Sequence, residues 1–141
     1  MPLAALLLWL MAAGGLAAAE IDDGFEGPEP AWALAESDAA PKLAAHERIA
    51  AAPHRGERCE RLRFSASTGT VLRLQMPIGR LAVIDELACS LWVRASRPDV
   101  RLSVRVLQPG AVSRKTGRPV ETLVRGTLST DIDRWELLEV T

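Results

Sequence analysis

At 141 residues, with 17 Lys plus Arg against 18 Asp plus Glu, the chain carries a net charge of −1. It lacks the one-signed excess that phosphate neutralisation needs, which argues against nucleic acid as a partner. A unit of about 120 residues after any leader buries roughly two thirds of its unfolded surface, so one domain can form without a metal or several disulfides.

Residues 2–19, PLAALLLWLMAAGGLAAA, hold no charge, and Ala17 and Ala19 flank Ala18 in the A-x-A arrangement that signal peptidase reads, just before Glu20. Residues 1–19 therefore read as a signal peptide. The run is shorter and softer than the roughly 20 strongly apolar residues of a spanning helix, so no stable membrane span is expected, a retained anchor being the alternative. No Cys follows the run, which excludes a lipoprotein anchor. The expected location is secreted, periplasmic or extracellular.

Residues 20–56 form a lead-in rich in Pro, Gly, Asp and Ala, with no sustained period. Within it, AAPKLAAHERIAAA (39–52) has high helix propensity and is bracketed by Pro41 and Pro53, which predicts a short helix of at most about three turns. From Glu57 the pattern changes to period two, and residues 57–141 read as sandwich strands. Leu62 and Phe64 alternate with Arg61 and Arg63, and Leu72, Leu74 and Met76 alternate with Arg73 and Gln75. SASTG (65–69) would close these two runs into a hairpin. A short strand around Leu81 to Ile84 precedes the stripe of Leu87, Cys89, Leu91 and Val93, and Arg97-Pro98-Asp99 makes a turn.

Leu102, Val104 and Val106 then oppose Arg101, Ser103 and Arg105. QPGAVSRKTGRPVE (108–121) interrupts the alternation and reads as a long exposed loop, a place where function often resides. LVRGTL and RWELLEV supply two further strands around the turn STDID. Six or seven short strands at this spacing predict an all-β fold, an antiparallel β-sandwich within a single domain over 20–141. Trp135, Leu137, Leu138 and Val140 lie just before Thr141. An apolar strand there predicts an open edge at 135–140 and a truncated sandwich, the first module of a longer protein with C-terminal domains.

Cys59 shares strand parity with Glu57, Arg61 and Arg63, whereas Cys89 shares it with Leu87, Leu91 and Val93. An oxidising compartment permits a disulfide between them, and geometry decides it. No catalytic signature occurs: G-x-S-x-G, H-E-x-x-H, C-x-x-C and glycine-rich phosphate loops are all absent. His46-Glu47 lacks a second histidine at helical spacing, and His54, after Pro53, reads as a polar capping side chain. The chain is therefore expected not to be an enzyme.

Strand parity carries the binding expectation. If Leu91 and Val93 face the core, Trp92 points away with Ser90 and Arg94, and Arg73, Gln75 and Arg105 also point away. An aromatic plane ringed by Arg and Gln donors is what a sugar site needs. The alternative is a Trp92 covered by a loop, with arginines that only solvate an outer face.

The order "DGFE", "HRGERCERLRF", "ELACSLWVRA" and "DRWELLEV" resembles the jelly-roll modules of the galactose-binding-like superfamily, particularly carbohydrate-binding modules of secreted glycoside hydrolases. The resemblance spans Asp23 to Val140. It implies that Phe25 and Trp32 are the first pieces of core, beside the last strand, with Gly24, Gly27 and Pro28 turning the chain. It also implies a structural calcium at Glu26 with Asp23 and Asp22, oxygen ligands that suit this ion. The function expected is a secreted noncatalytic module that binds a polysaccharide or glycan. The alternative is a structural or assembly β-sandwich domain of a cell-envelope protein with no small-molecule ligand.

Overall fold

The computed structural model describes residues 21–80 and 87–141. The signal peptide expected over 1–19 and the short strand expected around Leu81 to Ile84 lie outside the described residues. Eight strands follow in order: β1 Ala33–Leu34, β2 Lys42–Ile49, β3 Cys59–Ser65, β4 Leu74–Gln75, β5 Cys89–Arg94, β6 Arg101–Val112, β7 Pro119–Leu128 and β8 Trp135–Val140. All pair antiparallel as two-stranded ladders, β1 with β4, β2 with β3, β5 with β8 and β6 with β7. The described residues contain no helix, and the all-β arrangement is consistent with a β-sandwich. Among them, no helix is long and apolar enough to cross a membrane.

Period-two alternation translates directly into burial along β5 and the start of β6, but not along β3, where Phe64 is 45% exposed. β5 runs half-buried then exposed at each step from Cys89 to Arg94, and β6 buries Leu102 and Val104 while Arg101, Ser103 and Arg105 face water. Leu102, Val104, Leu138 and Val140 form the buried centre, with Trp32, Leu87, Cys89, Leu91, Val93, Val106 and Val124 packed around it. Leu138 is 1% exposed, so its burial contributes about 2 kcal/mol by transfer alone.

Three local expectations differ from what forms. The short helix expected within 39–52 is instead strand β2, registered against β3 from Lys42↔Ser65 to Ile49↔Cys59. Helix propensity is worth only tenths of a kcal/mol per residue. It yields here to a backbone ladder interrupted only by a register shift at Ala44, with cross-strand ion pairs, Arg61 to Glu47 at 2.7 Å and Arg48 to Glu60 at 3.2 Å.

The hairpin expected across SASTG does not form, because β3 pairs with β2 and β4 pairs with β1. Asp38 holds that turn from outside: its carboxylate accepts hydrogen bonds from Thr70 N (3.0 Å), Thr70 Oγ1 (2.6 Å) and Val71 N (2.6 Å). These bonds, the Thr70 hydroxyl first, hold the Asp38 carboxyl below its ordinary value. Gly69, at φ 90°, lies so close to the Ala39 backbone that a Cβ would not fit.

The long loop expected over 108–121 is mostly strand. β6 and β7 continue through it and leave a turn at residues 113–118, closed by Ser113 N donating to Arg118 O and Gly117 N donating to Ser113 O. Pro109, without an N–H, falls in the register shift between Gln108 and Val112, where the ladder needs no donor from it. The Pro/Gly signal thus marked a bulge and a turn rather than the loss of pairing.

The edge expected to be open at 135–140 has a single ladder partner, β5, and its other side lies close to β7 without strand pairing. β5 pairs with one side of β8, and on the other Glu139 N donates to Thr127 Oγ1 at 3.1 Å while Glu139 O leaves no room for a Cβ at Gly126 of β7.

Candidate functional site

The outer face of the β5–β8 ladder is built by register: Ser90 opposite Glu139, Trp92 opposite Leu137, Arg94 opposite Trp135. Trp92 is 44% exposed and Leu137 37%. The His54 imidazole stacks on the Trp92 indole with ring centroids 3.8 Å apart and planes 14° from parallel. It also meets Trp135 edge-on at 5.7 Å and 65°. Since imidazole covers one face of the indole, the exposed area of Trp92 comes from its other face and its edges.

The β2–β3 connection delivers His54, and its shape is fixed by residues in the left-handed region, Ala52 at φ 50° and Gly56 at φ 71°. Glu26 reaches over from the lead-in, and its Oε1 accepts from Glu57 N at 2.9 Å, where a Cβ at position 56 would displace that carboxylate. The anticipated calcium ligand is thus engaged by backbone. Asp23 similarly accepts from Phe25 N at 2.8 Å, and among the described residues no group of three or more His, Cys, Asp or Glu could hold a metal ion.

The expected ligand-binding set divides in two. Trp92 and Arg94 share the outer face of β5, both exposed. Gln75 and Arg105 meet each other instead, Arg105 Nη2 donating to Gln75 Oε1 at 3.3 Å, and Arg73 Nη1 donates to Glu36 O at 3.1 Å. No hydrogen bond or ring contact among the described residues joins this second group to Trp92. The division follows from pairing: β4, which carries Gln75, is joined to β1, not placed beside β5.

The two cysteines are free, so the Cys59–Cys89 disulfide is not formed. Cys89 packs against the buried centre, and burial pushes its thiol pKa up. Cys59 sits at the end of the β2–β3 ladder opposite Ile49, where its Sγ donates to Ala51 O at 3.6 Å.

One cluster escaped the reading of the sequence. Glu60 Oε1 lies 2.6 Å from His46 Nε2, and Oε2 lies 3.2 Å from Arg48 Nη2. The same carboxylate accepts backbone hydrogen bonds from Ala31 N at 2.9 Å and Trp32 N at 3.0 Å. Glu60 and Arg48 side chains are each only 3% exposed. The signal was available in strand parity, since Glu60 occupies the same phase as Leu62 and Phe64. Glu60 and Arg48 are shielded from solvent, and the Glu60 contacts join β3 both to β2 through His46 and Arg48 and to the lead-in through Ala31 and Trp32, so the role of this hub is structural. Of the two aromatics expected as the first pieces of core, Trp32 packs on the centre that includes Leu138 and Val140, but Phe25 lies beneath Arg48, whose Cζ is 4.7 Å from the ring centroid.

Comparison with family models, with curated proteins and with solved structures gave no match to this chain.

Proposed function

We propose that this protein is a secreted noncatalytic module that binds carbohydrate, a jelly-roll of the galactose-binding-like type carried by a larger extracellular protein. The observation that carries the reading is Trp92, an indole 44% exposed on the outer face of β5, with His54 bracing one side and Trp135 beside it. A held aromatic plane is a stacking surface for the apolar face of a sugar ring, and Arg94 on the same face supplies guanidinium donors to ring hydroxyls. Bracing matters because an indole already fixed by its neighbour loses less freedom on binding.

A specific observation also favours the structural alternative, a cell-envelope β-sandwich domain without a small-molecule ligand. His54 covers one face of Trp92, as a loop-covered tryptophan would be. A polysaccharide panel followed by isotherms separates the two. The wild type is expected to bind at least one polysaccharide, and Trp92→Ala to weaken that binding by at least tenfold while the variant stays folded at the assay temperature. Absence of binding across the panel, or binding indifferent to Trp92→Ala, would retire the carbohydrate reading.

A further inference from the structure

The near-neutral charge of the chain conceals a strong segregation. Residues 101–128, the β6–β7 hairpin, hold Arg101, Arg105, Arg114, Lys115, Arg118 and Arg125 against a single carboxylate, Glu121. Six cations and one anion give the hairpin +5, and the chain total of −1 then leaves −6 on all other residues. Of the six, only Arg105 lies within 4.0 Å of a carboxylate, that of Glu121, among the described residues. The turn at its tip presents Arg114, Lys115 and Arg118 exposed to water.

The same hairpin leaves large aliphatic side chains uncovered. Val112 is 59% exposed, Leu107 55% and Leu123 53%, more than any buried-side neighbour on the two strands. Register places Leu123 opposite Arg105 and Leu107 opposite Glu121, so the two leucines lie diagonally across one face. That face is opposite the one through which Val104 and Val124 meet the core.

We propose that the β6–β7 hairpin docks this protein on an anionic lipid surface, with the tip cations at headgroup phosphates and Leu107, Val112 and Leu123 in the interfacial layer. Charge complementarity fixes the sign of the partner. The aliphatic side chains decide its kind. A soluble polyanion, duplex DNA included, would satisfy the cations but leave Leu107 and Leu123 wet, and a single-stranded nucleic acid or a sugar would be met by aromatic planes, of which residues 101–128 have none. Basic residues interleaved with exposed aliphatic ones match a bilayer interface, where apolar side chains enter the headgroup–acyl boundary and each cation adds attraction. This docking is peripheral and independent of Trp92.

The test is co-sedimentation of the full chain with vesicles of phosphatidylcholine alone or mixed with phosphatidylglycerol, at low and high salt. The uncharged run 2–19 would add equally to both vesicle types, so the difference between them isolates the hairpin. Binding is expected to the anionic vesicles, with a steep loss at high salt. Joint replacement Arg114→Gln, Lys115→Gln and Arg118→Gln should weaken it on the order of a hundredfold. Leu107→Gln with Leu123→Gln should weaken it roughly tenfold, with melting temperatures unchanged in both variants. Equal binding to neutral and anionic vesicles, or no effect of the tip replacements, would overturn the proposal. Binding to DNA that the tip replacements abolish and the leucine replacements leave intact would instead assign the hairpin to a soluble polyanion, which also overturns it.

Discussion

The β2–β3 and β6–β7 hairpins are both long, arginine-rich ladders, yet they use charge in opposite ways. In β2–β3, Arg48 and His46 converge on Glu60, and Arg61 reaches Glu47, so most of the ladder's charges, Lys42 and Arg63 apart, are matched across its own strands and partly sealed from water. In β6–β7 the one carboxylate, Glu121, approaches Arg105 no closer than 4.0 Å, and the remaining cations face solvent with exposed leucines between them. The contrast teaches that arginine content alone says nothing about role. Where carboxylates are interleaved at strand spacing the charges hold the fold together, and where they are missing the charges remain available to a partner.

The largest test of that contrast is Glu60→Ala. It would strand the buried Arg48 guanidinium and remove the acceptor for Ala31 N and Trp32 N, and loss of one partner from a buried pair costs about 3–5 kcal/mol. Denaturant unfolding should show the midpoint falling accordingly. A midpoint within error of wild type would mean that the lead-in is held by Trp32 packing alone and that the hub is incidental.

A smaller effect is expected at Asp38, an exposed carboxylate serving the turn at Thr70 and Val71. Its folded pKa is lowered from 3.8, so its contribution to stability is present above that value and is lost as pH falls through the lowered folded pKa. Asp38→Asn should therefore reduce stability at neutral pH and flatten the acid limb of a stability–pH profile. A variant whose acid limb matches wild type would remove Asp38 from the account. The smallest effect belongs to the β6–β7 tip. Arg114→Gln, Lys115→Gln and Arg118→Gln together should change unfolding free energy by no more than about 0.5 kcal/mol, as exposed substitutions without partners do. Destabilisation well beyond that would show that these cations serve the fold, and the contrast between the hairpins would blur.

Alternation made β5, the first half of β6 and the Leu138–Val140 face of β8 legible in sequence, and with them the outward direction of Trp92 and Arg94. β2 was not legible, because Ala, Glu and Arg favour helix locally and its strand period appears only once Glu60 and Leu62 stand opposite Arg48 and His46. His54 was readable as a turn residue but not as a stacking partner, since its indole lies 38 residues downstream and on another ladder. The same limit separated Arg73, Gln75 and Arg105 from Trp92.

By itself, the sequence determined which side chains along a strand share a side and where charge accumulates, because both depend on residue order and a period of two. Only the tertiary structure decided which strands became neighbours: β3 with β2 rather than β4, β8 between β5 and β7, and Glu60 under the lead-in. Pairing is chosen by the combined gain of backbone hydrogen bonds, matched charges and a shared core across distant segments, and no local stretch contains that sum.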